Sequence, residues 1–308
     1  MQITRRKILA GAAAAALPFG APFPAVAGQT DLTGLTLGAA RIDTLSDGHL
    51  VLNRDFVMAD EPHPEADNFM AQHGVPEGNF TPGCTLALLR DGPRTVLFDA
   101  GSGPGFQPTA GKLQAALDRL GVARTGITHV VLTHAHPDHL WGLIDDFDEP
   151  AFPDAQLMIG RAEFDYWRDP ATIDTIGAER QNFAAGARSR LDRLADRFTL
   201  IEPGDEPLPG VEAMATHGHT PGHLSYIVHR GDGVVITGDA LANAHVAFAR
   251  PDWHWGSDQD WDAAAGTRRV LLDRLAADRL RLIGFHLPGS GIGRAERQGD
   301  AYRFLPET

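Results

Sequence analysis

Thr133-His134-Ala135-His136-Pro137-Asp138-His139 places four potential cation ligands within six residues, directly behind an apolar run. On extended backbone alternate side chains share a face, so His134 and His136 can grip one ion. Asp138 and His139 follow the bend at Pro137 and can turn toward a second. Imidazoles and a carboxylate packed this densely repel one another or go unsatisfied unless a cation is present. Further candidates sit where later apolar runs end. These are His219 in Gly218-His219-Thr220-Pro221-Gly222-His223, Asp239 after residues 234–238, and His286 after residues 282–285. A single His or Asp at a strand end is more often structural. Taken with the 134–139 cluster, they form a strong metal signal.

The elements that must position these groups follow from periodicity. Residues 85–89 and 95–98 are apolar runs split by Asp91-Gly92, a hairpin signal. Residues 112–120 carry helical spacing and stop at Gly121. Residues 127–132 form a buried strand feeding the His/Asp turn, and 139–144 read as a helix. Strands are expected at 155–159, 198–202, 211–216, 225–229, 234–237 and 280–285. Helices are expected at 162–168, 178–197 and 261–277, the last with Val270, Leu271 and Leu275 on one side. Strands alternate with helices while hairpins intervene, which predicts an α/β domain of sheets sandwiched between helices. Residues 28–80, polar and rich in Gly, Pro and Asp, read as an arm packing over the body at 81–308.

This pattern resembles the metallo-β-lactamase superfamily over roughly residues 81–308: Asp99 in Phe98-Asp99-Ala100-Gly101, then the HxHxDH run, then His219, Asp239 and His286. The resemblance implies a four-layer αββα sandwich with two metal ions at one sheet edge. Carried over position by position, His134, His136 and His219 would hold the first ion, and Asp138, His139 and His286 the second, with Asp239 bridging. Asp99 would orient the ligand turn from behind, and His223 would be a supporting or packing residue. An all-N/O ligand set with a carboxylate bridge suits Zn2+, and Fe or Mn would also be accommodated. Two such ions can activate a shared water as nucleophile, with Asp138 and Asp239 the carboxylates nearest the chemistry.

Within that superfamily the chain is similar to methyl parathion hydrolase and related exported metallohydrolases. The stretches that carry this are Ala151-Phe152-Pro153-Asp154-Ala155, residues 216–223, Gly291-Ile292-Gly293 and Tyr302-Arg303-Phe304-Leu305-Pro306. The resemblance places Phe106, Trp167 and Phe183 in an aromatic leaving-group pocket. An uncharged aromatic pocket favours a neutral ester with an apolar leaving group: a phosphotriester, an aryl ester or, as the alternative, a lactone. The residues after Asp239, Ala240-Leu241-Ala242, lack the Tyr that lactonases of the superfamily commonly carry there. The reading from another class is a non-hydrolytic metal-binding or redox module. Trp253, Trp255 and Trp261 crowd one segment and read as anchors of a loop rather than a pocket wall.

Composition narrows the partners. The 308 residues are 43% hydrophobic and 22% charged, ample for a large core. Thr4-Arg5-Arg6-Lys7, an Ala-rich apolar stretch and Ala25-Val26-Ala27 read as a twin-arginine export signal over 1–27, predicting a periplasmic or secreted protein without stable membrane insertion after signal removal. Loss of Arg5, Arg6 and Lys7 takes the formal net charge from −13 to about −16, a surface that repels nucleic acid. Cys84 is the only cysteine, which excludes internal disulfides and a thiolate cluster. The expected partner is a small-molecule substrate. Apolar residues near 40–80 leave a homodimer open.

Overall fold

The computed structural model describes residues 33–58, 65–75 and 77–307. Among these, two sheets carry the fold. The first runs β1 (Thr33–Leu37), β2 (Ala40–His49), β3 (Gly83–Asp91), β4 (Arg94–Phe98), β5 (His129–Val131), β6 (Gln156–Gly160) and β7 (Phe198–Ile201), in that spatial order. The second orders β13 (Ala301–Pro306), β12 (Ile292–Gln298), β11 (Arg281–Gly284), β10 (Val234–Gly238), β9 (Leu224–Val228) and β8 (Val211–Ala215). Pairing is antiparallel from β1 to β4 and parallel from β4 to β7; in the second sheet β10–β11 is the parallel pair.

Each parallel pair needs a crossover, and the helices supply them. Leu113–Leu120 joins β4 to β5, Arg161–Arg168 and Gln181–Arg193 join β6 to β7, and Trp261–Ala277 joins β10 to β11. The inner faces meet through Ile42, Phe98, Val131, Tyr226, Val234 and Ile283. Helices cover the outer face of the first sheet through Leu117, Leu140, Phe164 and Leu191, and of the second through Leu271, Leu272 and Leu275. This is the four-layer αββα sandwich.

Several expectations need correction. Residues 33–49 are not an arm: β2 pairs with β3 along its length and extends the first sheet. Its alternation was hidden because β2 is buried on both faces, Asp43 included. The C-terminal hairpin β12–β13 lies beyond the expected strands, because neither of its strands carries a long apolar run. The helix at 139–144 is a single turn, Pro137–Leu140, followed by a 3₁₀ turn at Trp141–Leu143. In Trp261–Ala277 the buried stripe is Arg268, Leu271, Leu272 and Leu275, while Val270, 100° from Leu271, faces solvent. The export signal expected over 1–27 lies outside the described residues.

The topology brings the polar groups together. β4, β5, β10 and β11 end at one edge, and Asp99, His134, Asp239 and His286 follow directly. Two bonds clamp the sheets there: Tyr226 Oη–H donates to Leu132 O at 2.9 Å, and Leu224 N–H to Thr133 O at 3.0 Å.

Candidate metal centre

The strand ends deliver the predicted residues to one place. The imidazole nitrogens and carboxylate oxygens of His134, His136, His219 and Asp239 lie within 4.8 Å of one another, as do those of His139, Asp239 and His286. Asp239 belongs to both groups. Its Oδ2 is 3.2 Å from His219 Nε2 and 3.4 Å from His286 Nε2, and its Oδ1 is 3.4 Å from His139 Nε2. Asp138 Oδ2 stands 3.2 Å from His286 Nε2 and 3.6 Å from His139 Nε2.

The ring tautomers show what the cluster is built for. His134 Nδ1–H donates to Thr133 Oγ1 at 3.0 Å, His139 Nδ1–H to Asp99 Oδ2 at 2.9 Å, His219 Nδ1–H to Asp258 Oδ1 at 3.0 Å and His286 Nδ1–H to Gly83 O at 2.8 Å. Each of these bonds leaves an Nε2 lone pair pointing inward in the neutral ring. His136 is turned the other way: its Nδ1 lies 3.0 Å from His134 Nε2 and 2.9 Å from His219 Nε2, while its Nε2 faces the Gln259 side-chain amide at 3.3 Å. Asp138 Oδ2, His139 Nε2 and Asp239 Oδ1 are buried without a hydrogen-bond partner. Converging lone pairs and orphaned carboxylate oxygens are what a pair of divalent cations would satisfy.

The backbone around them tolerates little change. Gly238 has φ +51°, and a Cβ there would meet His223 Nε2 at 2.7 Å and Thr133 Cβ at 2.9 Å. His223 Nε2 accepts the Asp239 N–H at 3.0 Å, and its Nδ1 pairs with Thr216 Oγ1 at 2.8 Å, so it fixes the loop and is not a ligand. Asp99, at φ +64°, accepts from Thr133 N–H at 2.7 Å as well as from His139.

The chain belongs to the metallo-beta-lactamase superfamily. The sequence profile of that superfamily matches residues 82–280. Metallo-beta-lactamase domain-containing protein 1 of Xenopus laevis is 31% identical over 153 residues, 49% of this chain and 52% of the frog protein. This chain thus spans about half the length of that relative. An uncharacterized protein of Mycobacterium leprae is 28% identical over 73% of this chain and 94% of its own length. Among solved structures, the dizinc quorum-quenching lactonase AidC superposes with a TM-score of 0.84 at 22% identity, covering 90% of this chain and 97% of AidC. The hydrolase AbOPH of the beta lactamase superfamily gives 0.82 at 25% identity with the same coverage.

A cavity of about 290 Å³ opens over the cluster, lined by Asp138, His219, Asp239 and His286. Its walls are largely apolar, including Leu52, Phe56, Phe80 and Trp255. Phe106 and Phe183 line it, their rings edge-on at 5.8 Å. Trp167 does not: it is fully buried behind His136, and its Nε1–H donates to Glu163. Of the tryptophans read as loop anchors, Trp255 is a wall residue, while Trp253 packs on Phe69 and Trp261 stacks on His254. The pocket is not wholly uncharged, because Arg180 reaches it, donating to Gly256 O and lying over the Phe56 ring.

Sequence reasoning missed several supporting residues. Glu163 ties the 134–139 turn to the His219 loop, and Asp258 backs His219 while bonding Arg268 Nη1 at 2.6 Å. Asp47 accepts from the N–H groups of Ser102, Gly111 and Leu113, pinning the loop that carries Phe106. Cys84, a lone cysteine and so discounted as a ligand, has its Sγ within 4.8 Å of ligand atoms of Asp138 and His286; burial pushes its thiol up to about 12.

Electrostatics differ across the cluster. Burial, then the neighbouring imidazoles, hold His134 and His136 well below their ordinary range. Burial also disfavours charge on His139 and His219, but Asp239 with Asp138 and Asp99 lifts His139 to about 10, and Asp239 with Asp258 lifts His219 to about 9. Burial is likewise outweighed at His286, which Asp239 and Asp138 raise well above its ordinary range, so at neutral pH the metal-free chain keeps protons on these three rings. A cation must displace them, so affinity rises with pH through the range in which these rings lose their protons. Titrating metal-free protein with Zn2+ at pH 7 in buffers of different ionisation heat should reveal net proton release, smaller at pH 10. Binding heats independent of buffer at pH 7 would contradict this.

Proposed function

We propose that this protein is a dinuclear metal-dependent hydrolase of neutral ester-type substrates, phosphotriesters and aryl esters first among them. The observation that carries the reading is Asp239, buried between two imidazole groups and lining an apolar cavity. His134, His136 and His219 would hold one ion, and Asp138, His139 and His286 the other, with Asp239 shared. The set accepts Zn2+ without a thiolate and would also accept Fe or Mn. Bound there, the ions would supply Lewis acidity and a water deprotonated near neutral pH.

The chain's own residues do the rest. Phe106, Phe183 and Trp255 bury the leaving group's apolar surface and exclude water. Asp138 Oδ2 faces His286 at 3.2 Å and would serve the second ion, which leaves the other carboxylate oxygen, Oδ1, as the one that could take a proton as the leaving group departs. Asp99 and Asp258 keep His139 and His219 in the required tautomer. The twin-arginine start fits export, with the working site outside the cytoplasm.

A lactone is the second reading. AidC is a quorum-quenching lactonase, and an N-acyl homoserine lactonase of Bacillus cereus is 26% identical over 42% of this chain and 44% of that protein. Metal analysis of purified protein together with a substrate panel tests both. The panel holds an aryl phosphotriester, an aryl acetate, an acyl-homoserine lactone, a glutathione thioester and a β-lactam. Chelator-sensitive turnover of the first three is expected; turnover of the β-lactam or thioester alone would overturn the reading.

A further inference from the structure

One histidine of the cavity carries the tautomer opposite to four of the metal-facing rings. His245 Nδ1 accepts the Val246 N–H at 2.9 Å. A ring nitrogen that accepts holds no proton, so in the neutral ring the proton sits on Nε2. Burial, with a smaller contribution from His73, holds the ring down at about 3, which keeps it an uncharged donor. Its backbone is fixed, since Asn243 Oδ1 accepts from both His245 N–H and Ala247 N–H. Its ring plane is held by Phe80 and Trp255, with centroids at 6.2 and 5.7 Å. The ring lines the same cavity as Asp138 and Asp239, and among the described residues no acceptor meets Nε2. Capping the short turn does not require an imidazole; Ser, Asp or Asn serve better at such positions.

We infer that His245 is a specificity-determining residue, its Nε2–H donating to a carbonyl-type oxygen on the apolar arm of an uncharged substrate. A plain hydrocarbon arm in that position leaves a desolvated donor unpaired, and such sites reject analogues lacking the acceptor. The assignment deepens the hydrolase reading and rests on it for the reaction, though not for the binding.

The test separates the two. Two γ-lactams, whose ring amide resists hydrolysis, are titrated calorimetrically into the metal-loaded protein. One carries an acylamino arm and the other an alkyl arm of equal length. The wild-type chain should prefer the acylamino ligand. His245→Phe should cut that preference by about 10- to 100-fold, and His245→Gln, whose Nε2 amide reaches as the imidazole Nε2–H does, should retain most of it. No preference in the wild type, a preference that survives in His245→Phe, or equal weakening of both ligands in that variant would overturn the assignment. Turnover of the corresponding lactones and aryl esters is followed separately. Selective binding without turnover would retire the hydrolase reading and leave His245 as assigned.

Discussion

Asp239→Ala is expected to strip metal from the protein and lower turnover by about 1,000-fold, at the upper end of what loss of one preorganised charge costs. The side chain is the one group shared by both imidazole sets, and its buried Oδ1 has no hydrogen-bond partner in the protein. Asp239→Asn is the sharper variant. It keeps the volume but puts N–H hydrogens where cations would sit and removes the negative charge facing His139, His219 and His286. It should lose metal and activity nearly as completely. Without the carboxylate that raises them, His139 and His219 should also release fewer protons when metal is added at neutral pH. Metal content by elemental analysis, turnover, and circular dichroism to confirm the fold decide the matter. Full occupancy with wild-type turnover in either variant would remove Asp239 from the centre.

Much of this was legible in the chain because ligands follow apolar runs. The run at 127–132 sets up His134, 234–238 sets up Asp239 and 282–285 sets up His286, and all three residues do reach one edge. The first strand, His129–Val131, is shorter than its apolar run: Leu132 N–H makes the last bond to β6, at Met158 O, while its carbonyl turns away to Tyr226 of the other sheet. What was illegible is support supplied from far away in sequence. The helix Leu113–Leu120 has no capping side chain of its own; Asp47 from β2, 66 residues earlier, accepts from Leu113 N–H. His219 is backed by Asp258, 39 residues later. No local pattern announces such pairs, because the sandwich topology makes them adjacent. The same reason misplaced Trp167: an aromatic near the metal turn reads equally as pocket wall or packing, and only the position of Glu163 settles that it faces inward.

Glu163 is the supporting residue whose loss should cost most. It is fully buried, and burial raises its pKa against four opposing donors. Ala135 N–H and Trp167 Nε1–H reach Oε1 at 2.9 and 2.5 Å; Thr220 Oγ1–H and Gly222 N–H reach Oε2 at 2.7 and 3.0 Å. Every neighbour donates, so only a carboxylate satisfies them all. Ala135 lies in the turn carrying His134 and His136, and Thr220 and Gly222 in the loop carrying His219, while Trp167 stands on Glu163's own helix, which makes Glu163 the strut between the halves of one ligand set. Glu163→Gln turns an amide NH2 onto two donors and should destabilise the fold by about 2–5 kcal/mol. Glu163→Leu, leaving all four unpaired, should cost more. Because the ligand nitrogens then lose their fixed spacing, metal affinity should fall by about 10- to 100-fold even where the variant remains folded. Thermal unfolding of the metal-free chain and competition with a chelator read the two effects independently. A Gln variant as stable as wild type, binding metal as tightly, would mean that the turn and the loop hold their positions without this side chain.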